Sequence, residues 1–191
     1  MPRLTDEQWL KSLNALRGIT SCFSHVEAHK KVVYRWYLTP HRLNKIYCTV
    51  NPKCWRCGTH DGHMTHIWWE CEAIKPLWTQ VQALLNTIAN ETHLLSPMIA
   101  LLLLFPDTWR LETRKIASLI ILAARNLLAL HWKDTYCPTN KELIDKVYQY
   151  YQYEVLSSDS YVKTRKLEEL WKPWLALNYH RKSKGRGVVH D

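Results

Sequence analysis

The chain has 191 residues, a formal net charge of +9 and 47% hydrophobic residues. That length suits one domain with a small satellite and allows a real core, and the basic excess favours a polyanionic partner. Five glycines argue against a large sheet of tight turns and against glycine-rich phosphate loops, while six cysteines behind a start that turns polar at once (Met1-Pro2-Arg3-Leu4-Thr5-Asp6) predict reduced thiols in an intracellular protein, cytoplasmic or nuclear.

In chain order the sequence reads as helices divided by capping signals. Thr5-Asp6-Glu7-Gln8 has the pattern of a capping box, and Trp9, Leu13 and Leu16 follow at helical spacing towards a stop at Gly18. Ser24-His25-Val26-Glu27 reads as a second box. The helix it opens is expected to run to about Leu38, because Thr39 precedes Pro40 and is pushed out of helical geometry. Val26, Val33, Trp36 and Tyr37 form its expected apolar stripe. Thr39-Pro40 then reads as N-cap and first-turn proline of a short helix, His41–Ile46. Residues 48–72 look loop-like. Lys75-Pro76 opens a helix whose Leu77, Trp78, Val81, Leu84, Leu85 and Ile88 lie on one face.

Leu101–Phe105 is a short apolar run that periodicity assigns to neither helix nor strand. Trp109 to about Asp134 reads as the longest helix, apolar on several faces and therefore central. Thr139-Asn140-Lys141-Glu142 is a third capping box, opening a helix with Leu143, Val147, Tyr150, Tyr151 and Val155. A short last helix is expected up to Trp171-Lys172-Pro173-Trp174. From His180 the chain lacks the apolar content for a core and is expected to be disordered. The expected fold is therefore mainly α: a multi-helix domain with one small zinc-stapled loop module. Its parts are a basic helical segment (1–47), the zinc module (48–74), a helical domain (75–178) and a basic tail (179–191). The run 94–105 is too short to span a bilayer, and 116–132 is interrupted by Arg125, Asn126 and His131, so no membrane span is expected.

The chemistry concentrates between Cys54 and Cys71. Cys54-Trp55-Arg56-Cys57 lets two thiolates face one point from a tight turn. His66 and Cys71, from a second turn, complete a tetrahedron of N and S ligands, the closed pattern of structural Zn2+. His60 and His63 lie in the same loop and compete with His66. His66 is preferred because Ile67-Trp68-Trp69 follows it as an apolar wedge. Three thiolates and one imidazole around a dication leave a charge of −1, which Lys53 and Arg56 are placed to offset. Cys22, Cys48 and Cys137 read as small buried hydrophobes.

Ahead of this site lie Lys30, Lys31, Arg35, Arg42, Lys45, Lys53 and Arg56, with no acidic residue among them. His29 and His41 add optional charge, and Tyr34, Trp36, Tyr37, Tyr47 and Trp55 are interleaved. Cations hold phosphates and aromatics stack on unpaired bases, so this stretch is a candidate RNA or DNA surface. The nucleic-acid-binding candidates are Lys30, Lys31, Arg35, Trp36, Arg42, Lys45 and Arg56. Arg181, Lys182, Lys184 and Arg186 in the tail add to them.

Two further readings are open at this level. Exposed Trp68 and Trp69 would suit a protein-interaction scaffold. A metal hydrolase would need a vacant metal position beside Glu70, and four good ligands leave none.

These residues also carry a resemblance. Tyr34-Arg35-Trp36-Tyr37-Leu38-Thr39-Pro40, Arg42-Leu43, Lys45-Ile46, Cys54-Trp55-Arg56-Cys57-Gly58, His66-Ile67-Trp68-Trp69-Glu70-Cys71 and Pro76-Leu77-Trp78 together resemble the carboxy-terminal segment of LINE-type (non-LTR) retrotransposon reverse transcriptases. The likeness is strongest over about residues 31–81. It implies a zinc-knuckle-like site on Cys54, Cys57, His66 and Cys71. It also implies a role in gripping template RNA or target DNA during target-primed reverse transcription. In that family the segment lies after the endonuclease and polymerase domains. This chain has no Tyr/Phe-x-Asp-Asp motif, so no polymerase or nuclease activity is expected of it.

Overall fold

A computed structural model describes residues 4–158 and 161–184, with side chains described for 4–158 and 164–177. The described residues are mainly helical, with eight α-helices: α1 Asp6–Leu13, α2 Phe23–Val33, α3 Pro40–Ile46, α4 Lys75–Ala89, α5 Pro97–Leu102, α6 Leu111–Leu130, α7 Asn140–Leu156 and α8 Tyr161–Lys184. Among them no helix is long and apolar enough to cross a membrane.

Two of the three expected capping boxes form. Thr5 accepts from the Gln8 backbone N–H while the Gln8 side chain accepts from Thr5 N–H, and Thr139 and Glu142 do the same for α7. The box expected at Ser24 does not form. α2 starts two residues earlier with Cys22 as N-cap, Ser24 Oγ lies 3.1 Å from Cys22 Sγ, and Glu27 pairs instead with Lys31 one turn on.

α2 also stops at Val33, short of Leu38. Arg35 takes the left-handed conformation (φ 52°), so that Trp36 N–H donates to Lys31 C=O (2.8 Å) and Arg35 N–H to Val32 C=O (3.0 Å). This is a Schellman stop with arginine where glycine is usual. The turn lifts Trp36 off the expected apolar stripe.

The ambiguous run after Ser96 resolves as helix and then turn. Ser96 caps α5, and Leu103 (φ 55°) ends it in left-handed geometry. α6 lies at the centre, with Ile120, Ile121, Ala123, Ala124 and Leu128 fully enclosed, packed on α4 and most extensively on α7. α8 is longer than expected. It contains Pro173, buries Trp171 and Trp174 against Tyr148 and Tyr151, and continues to Lys184, past the start of the expected tail. The side chains of Arg181, Lys182 and Lys184, and all of Arg186, lie outside the described residues.

The first two helices are tied to the bundle by a buried polar relay. Ser12 Oγ donates to Leu102 C=O (2.8 Å), and His29 Nε2–H donates to Ser12 C=O (2.7 Å). Arg125 donates to His29 Nδ1 (3.0 Å) and to Leu101 C=O (2.7 Å). Burial, helped by the Arg125 charge, pushes His29 down to about 3. His29 is therefore a neutral core residue and not the optional surface charge that the sequence suggested.

Candidate metal centre and basic face

The loop after α3 is drawn into a knuckle by backbone hydrogen bonds. Cys54 N–H donates to His60 C=O, Gly58 N–H to Cys54 C=O and Gly62 N–H to Pro52 C=O, each at 2.8 Å, and Lys53 and Asp61 form an antiparallel bridge. Gly58 sits at φ 66°, a conformation costly for other residues. Gly62 presses on α3, where an added Cβ would come within 2.7 Å of Pro40. The second half of the site is a π turn, His66–Glu70, closed by Cys71 N–H to His66 C=O at 2.8 Å. In an α-helix, residues five apart point about 140° away from each other. The wider π turn lets His66 and Cys71 face the same point.

Four donors converge there. Cys54 Sγ lies 3.9 Å from Cys71 Sγ, Cys57 Sγ lies 3.3 Å from His66 Nε2, and all four donor atoms lie within 4.8 Å of one another. A tetrahedral zinc ion would separate two sulfurs by about 3.8 Å, and a sulfur and a nitrogen by about 3.5 Å. The cluster therefore fits a metal of that size. Of the competing histidines, His60 stacks over the His66 ring (5.3 Å) and His63 stands edge-on to His41 (5.2 Å), while His66 itself is buried with Cys54 and Cys71.

The thiols of the cluster are shifted in opposite directions. Burial opposes ionisation at Cys57, but hydrogen bonds from Thr59 and His60 outweigh it and bring the thiol down to about 4. Burial and the neighbouring Cys54 and Cys57 sulfurs push Cys71 up to about 12, against a hydrogen bond from Ala73 N–H. Converging thiolates repel one another, and a bound dication removes that conflict.

Arg56 was expected on the nucleic-acid surface. It is instead buried, at 7% exposure. Its guanidinium donates to Ile67 C=O (3.2 Å), Leu128 C=O (3.1 Å) and His131 C=O (3.0 Å). The C-terminus of α6 offers carbonyls with no helical partner, and a cation is favoured there. Burial lowers the Arg56 pKa, and the Cys54 and Cys71 sulfurs raise it. One side chain thus caps the central helix and supplies positive charge beside the thiols. Lys53 pairs with Asp61 at 2.9 Å.

Trp68 is fully enclosed. It packs in a cluster with Tyr37 and Trp132, and its carbonyl accepts from Trp78 Nε1 (2.9 Å). It anchors the π turn to the core, as the apolar wedge was expected to do, and offers nothing to a partner. Trp69 is half-buried against Trp78. Cys48, expected to be buried, is exposed, and Cys22 and Cys137 are half-buried.

No model of a known protein family matches the chain.

The remaining candidates of the basic stretch do reach solvent. Lys30, Arg35, Arg42 and Lys45 are exposed. Arg42 Nη1 donates to Arg35 C=O (3.0 Å), which braces the left-handed turn. Lys31 is tied to Glu27 at 2.9 Å. Around these cations stand three aromatics with most of their surface in water: Tyr34 at 62%, Trp36 at 70% and Tyr47 at 60% exposure. Sequence reasoning missed the Arg35 turn, the Arg56 cap and the His29–Arg125 relay. Each joins residues through backbone carbonyls, which residue type does not reveal.

Proposed function

We propose that the protein is a non-catalytic, zinc-stabilised module that binds RNA or single-stranded DNA. One observation carries this reading. Trp36, Tyr34 and Tyr47 are exposed among Lys30, Arg35, Arg42 and Lys45. A chain needing those rings for its core would bury them. Exposed rings beside cations suit bases and phosphates respectively. The Cys54–Cys57–His66–Cys71 cluster has the donor set of a structural zinc site. Its role in this reading is to fold the loop behind the basic face. The resemblance to the carboxy-terminal segment of LINE-type reverse transcriptases supports the same reading and makes template RNA or target DNA the natural ligand. Three metal-binding thiols fit a reducing, intracellular compartment. A protein-interaction role through Trp68 and Trp69 finds less support, because Trp68 is enclosed.

The test is binding of single-stranded RNA and DNA by metal-loaded protein across a salt series, repeated with a chelator. Affinity should fall steeply with salt. It should also fall when Lys30, Arg35 and Lys45 are changed together to Glu, and when Trp36 becomes Ala, worth about 1–3 kcal/mol for one stacked base. Absence of binding by folded, metal-loaded protein at low salt would defeat the proposal.

A further inference from the structure

The α1–α2 loop, the end of α4, the start of α6, the end of α7 and α8 enclose a groove of about 1000 Å3. Its apolar walls include Ile19, Ile88, Ile116, Leu167 and Leu170. It also contains a buried acid. The Glu154 side chain is 2% exposed. Its Oε1 accepts from the Thr20 hydroxyl and lies 2.6 Å from His25 Nδ1. Oε2 has no hydrogen-bond partner among the described residues, yet it is not sealed off as a wholly enclosed atom would be. Thr113 lines the same groove. It is buried to all but 9%, and its hydroxyl also lacks a partner among the described residues.

A carboxylate only accepts hydrogen bonds and has room for about four. Burying one with a single oxygen engaged is unfavourable unless a donor arrives. The groove's other charges do not reverse its sign. Arg110 is held by Glu91 at 2.9 Å, and the remaining charged side chains of the lining, Glu112, Lys115, Lys166 and Glu169, are two of each sign. His25 does not line the groove. Its ring lies flat on Tyr150 (3.9 Å, 2°), so it orients the carboxylate and does not face a ligand.

We propose that this groove binds a small organic ammonium ion. Its charged head donates to Glu154 Oε2, its aliphatic body lies along the isoleucine and leucine walls, and Thr113 offers a further acceptor. The site is separate from the basic aromatic face and does not depend on nucleic-acid binding.

The experiment titrates hexylammonium, hexanol and hexanoate into the full, metal-loaded chain and follows backbone amides by NMR without nucleic acid present. Hexylammonium should give saturable shifts at Gly18, Ile116 and Glu169, with hexanol weaker and hexanoate silent. Glu154→Gln should weaken hexylammonium about tenfold or more, as expected for loss of one charge-assisted bond. Ala89→Trp, which fills the groove from the α4 side and leaves Glu154 intact, should abolish the shifts. Dichroism and metal content confirm folding of each variant. If Glu154→Gln does not fold, the ranking of the three probes on the unaltered protein and the Ala89→Trp result decide. Hexanoate or hexanol binding as well as the amine, shifts that survive either folded variant, or no saturation at the groove amides would each overturn the assignment.

Discussion

Between residues 48 and 74 sulfur, imidazole and one guanidinium meet beside a few apolar side chains, whereas the buried groups of α4, α6 and α7 are mostly Leu, Ile, Val and Ala. The helices stand on apolar faces that exclude water wherever they touch, at about 25 cal/mol per Å2 buried. The knuckle has little such surface beyond Ile67, Trp68 and Ile74. With the zinc proposed above bound, it would depend on a charge balance of thiols, metal and Arg56, which holds only when every member is in place. The helical part should therefore lose stability in small steps, and the knuckle all at once. The two meet at Arg56, whose one side chain bonds both the π turn and the end of α6.

The sharpest way to break that contrast is to remove the proposed zinc. Binding free energy at structural zinc sites is folding free energy, about 10–16 kcal/mol in zinc-finger peptides. Chelation, or Cys71→Ser, should expose amides across residues 48–74 to rapid hydrogen exchange while α6 and α7 stay protected. Equal loss of protection in both regions would show that the knuckle is no separate unit.

Arg56→Ala comes next. It strands the buried carbonyls of Ile67, Leu128 and His131 and removes the cation beside Cys54 and Cys71. A loss of roughly 3 kcal/mol is expected in urea unfolding, together with weaker metal retention. Arg56→Lys should not rescue it, since an ammonium cannot reproduce the planar fork that reaches three carbonyls. A variant that unfolds earlier but keeps its metal as tightly would confine Arg56 to the helix side of the comparison.

The same contrast explains what could be read from the chain in advance. The apolar period of Leu77, Trp78, Val81 and Leu85 marks α4, and the Thr139–Glu142 box marks the start of α7, because both signals are local. Cys54, Cys57 and Cys71 stand out because thiols at that spacing have few other uses. The choice of His66 over His60 and His63 required the π turn, which no propensity announces. The early end of α2 was illegible for a related reason. A left-handed arginine is unfavourable in isolation, and it is braced here by Arg42 from the next helix. Arg56 and His29 read as surface cations because charge normally seeks water, and their partners are carbonyls supplied by distant helices.

A smaller effect probes the relay that joins α1 and α2 to the bundle. His29 sits at about 3 in the folded protein against an ordinary 6.5. Its folded pKa is depressed, so its contribution is complete above pH 6.5 and shrinks as pH falls towards 3. Between about pH 7.5 and pH 5.5 the linkage amounts to about 1.4 kcal/mol lost. Urea unfolding at saturating metal should show that slope, and His29→Gln should flatten it. An unchanged slope would mean that the acid sensitivity resides in the metal ligands instead.

The smallest effect separates stability from binding at Arg35. An L-residue in the left-handed region is disfavoured by roughly 1–2 kcal/mol, and glycine is not. Glycine also gives back part of that gain through a freer unfolded chain, about 0.5–1 kcal/mol. Arg35→Gly should therefore leave the fold as stable or up to about 1.5 kcal/mol more stable, which calorimetry would detect. The same change removes a cation from the proposed nucleic-acid face, and for single strands each lost phosphate contact lowers the salt slope by about 0.7. A variant that gains stability and loses slope marks Arg35 as a residue kept against its local backbone preference because of what it binds. A variant that gains stability with the slope intact would remove Arg35 from that face and leave binding to Lys30, Arg42 and Lys45.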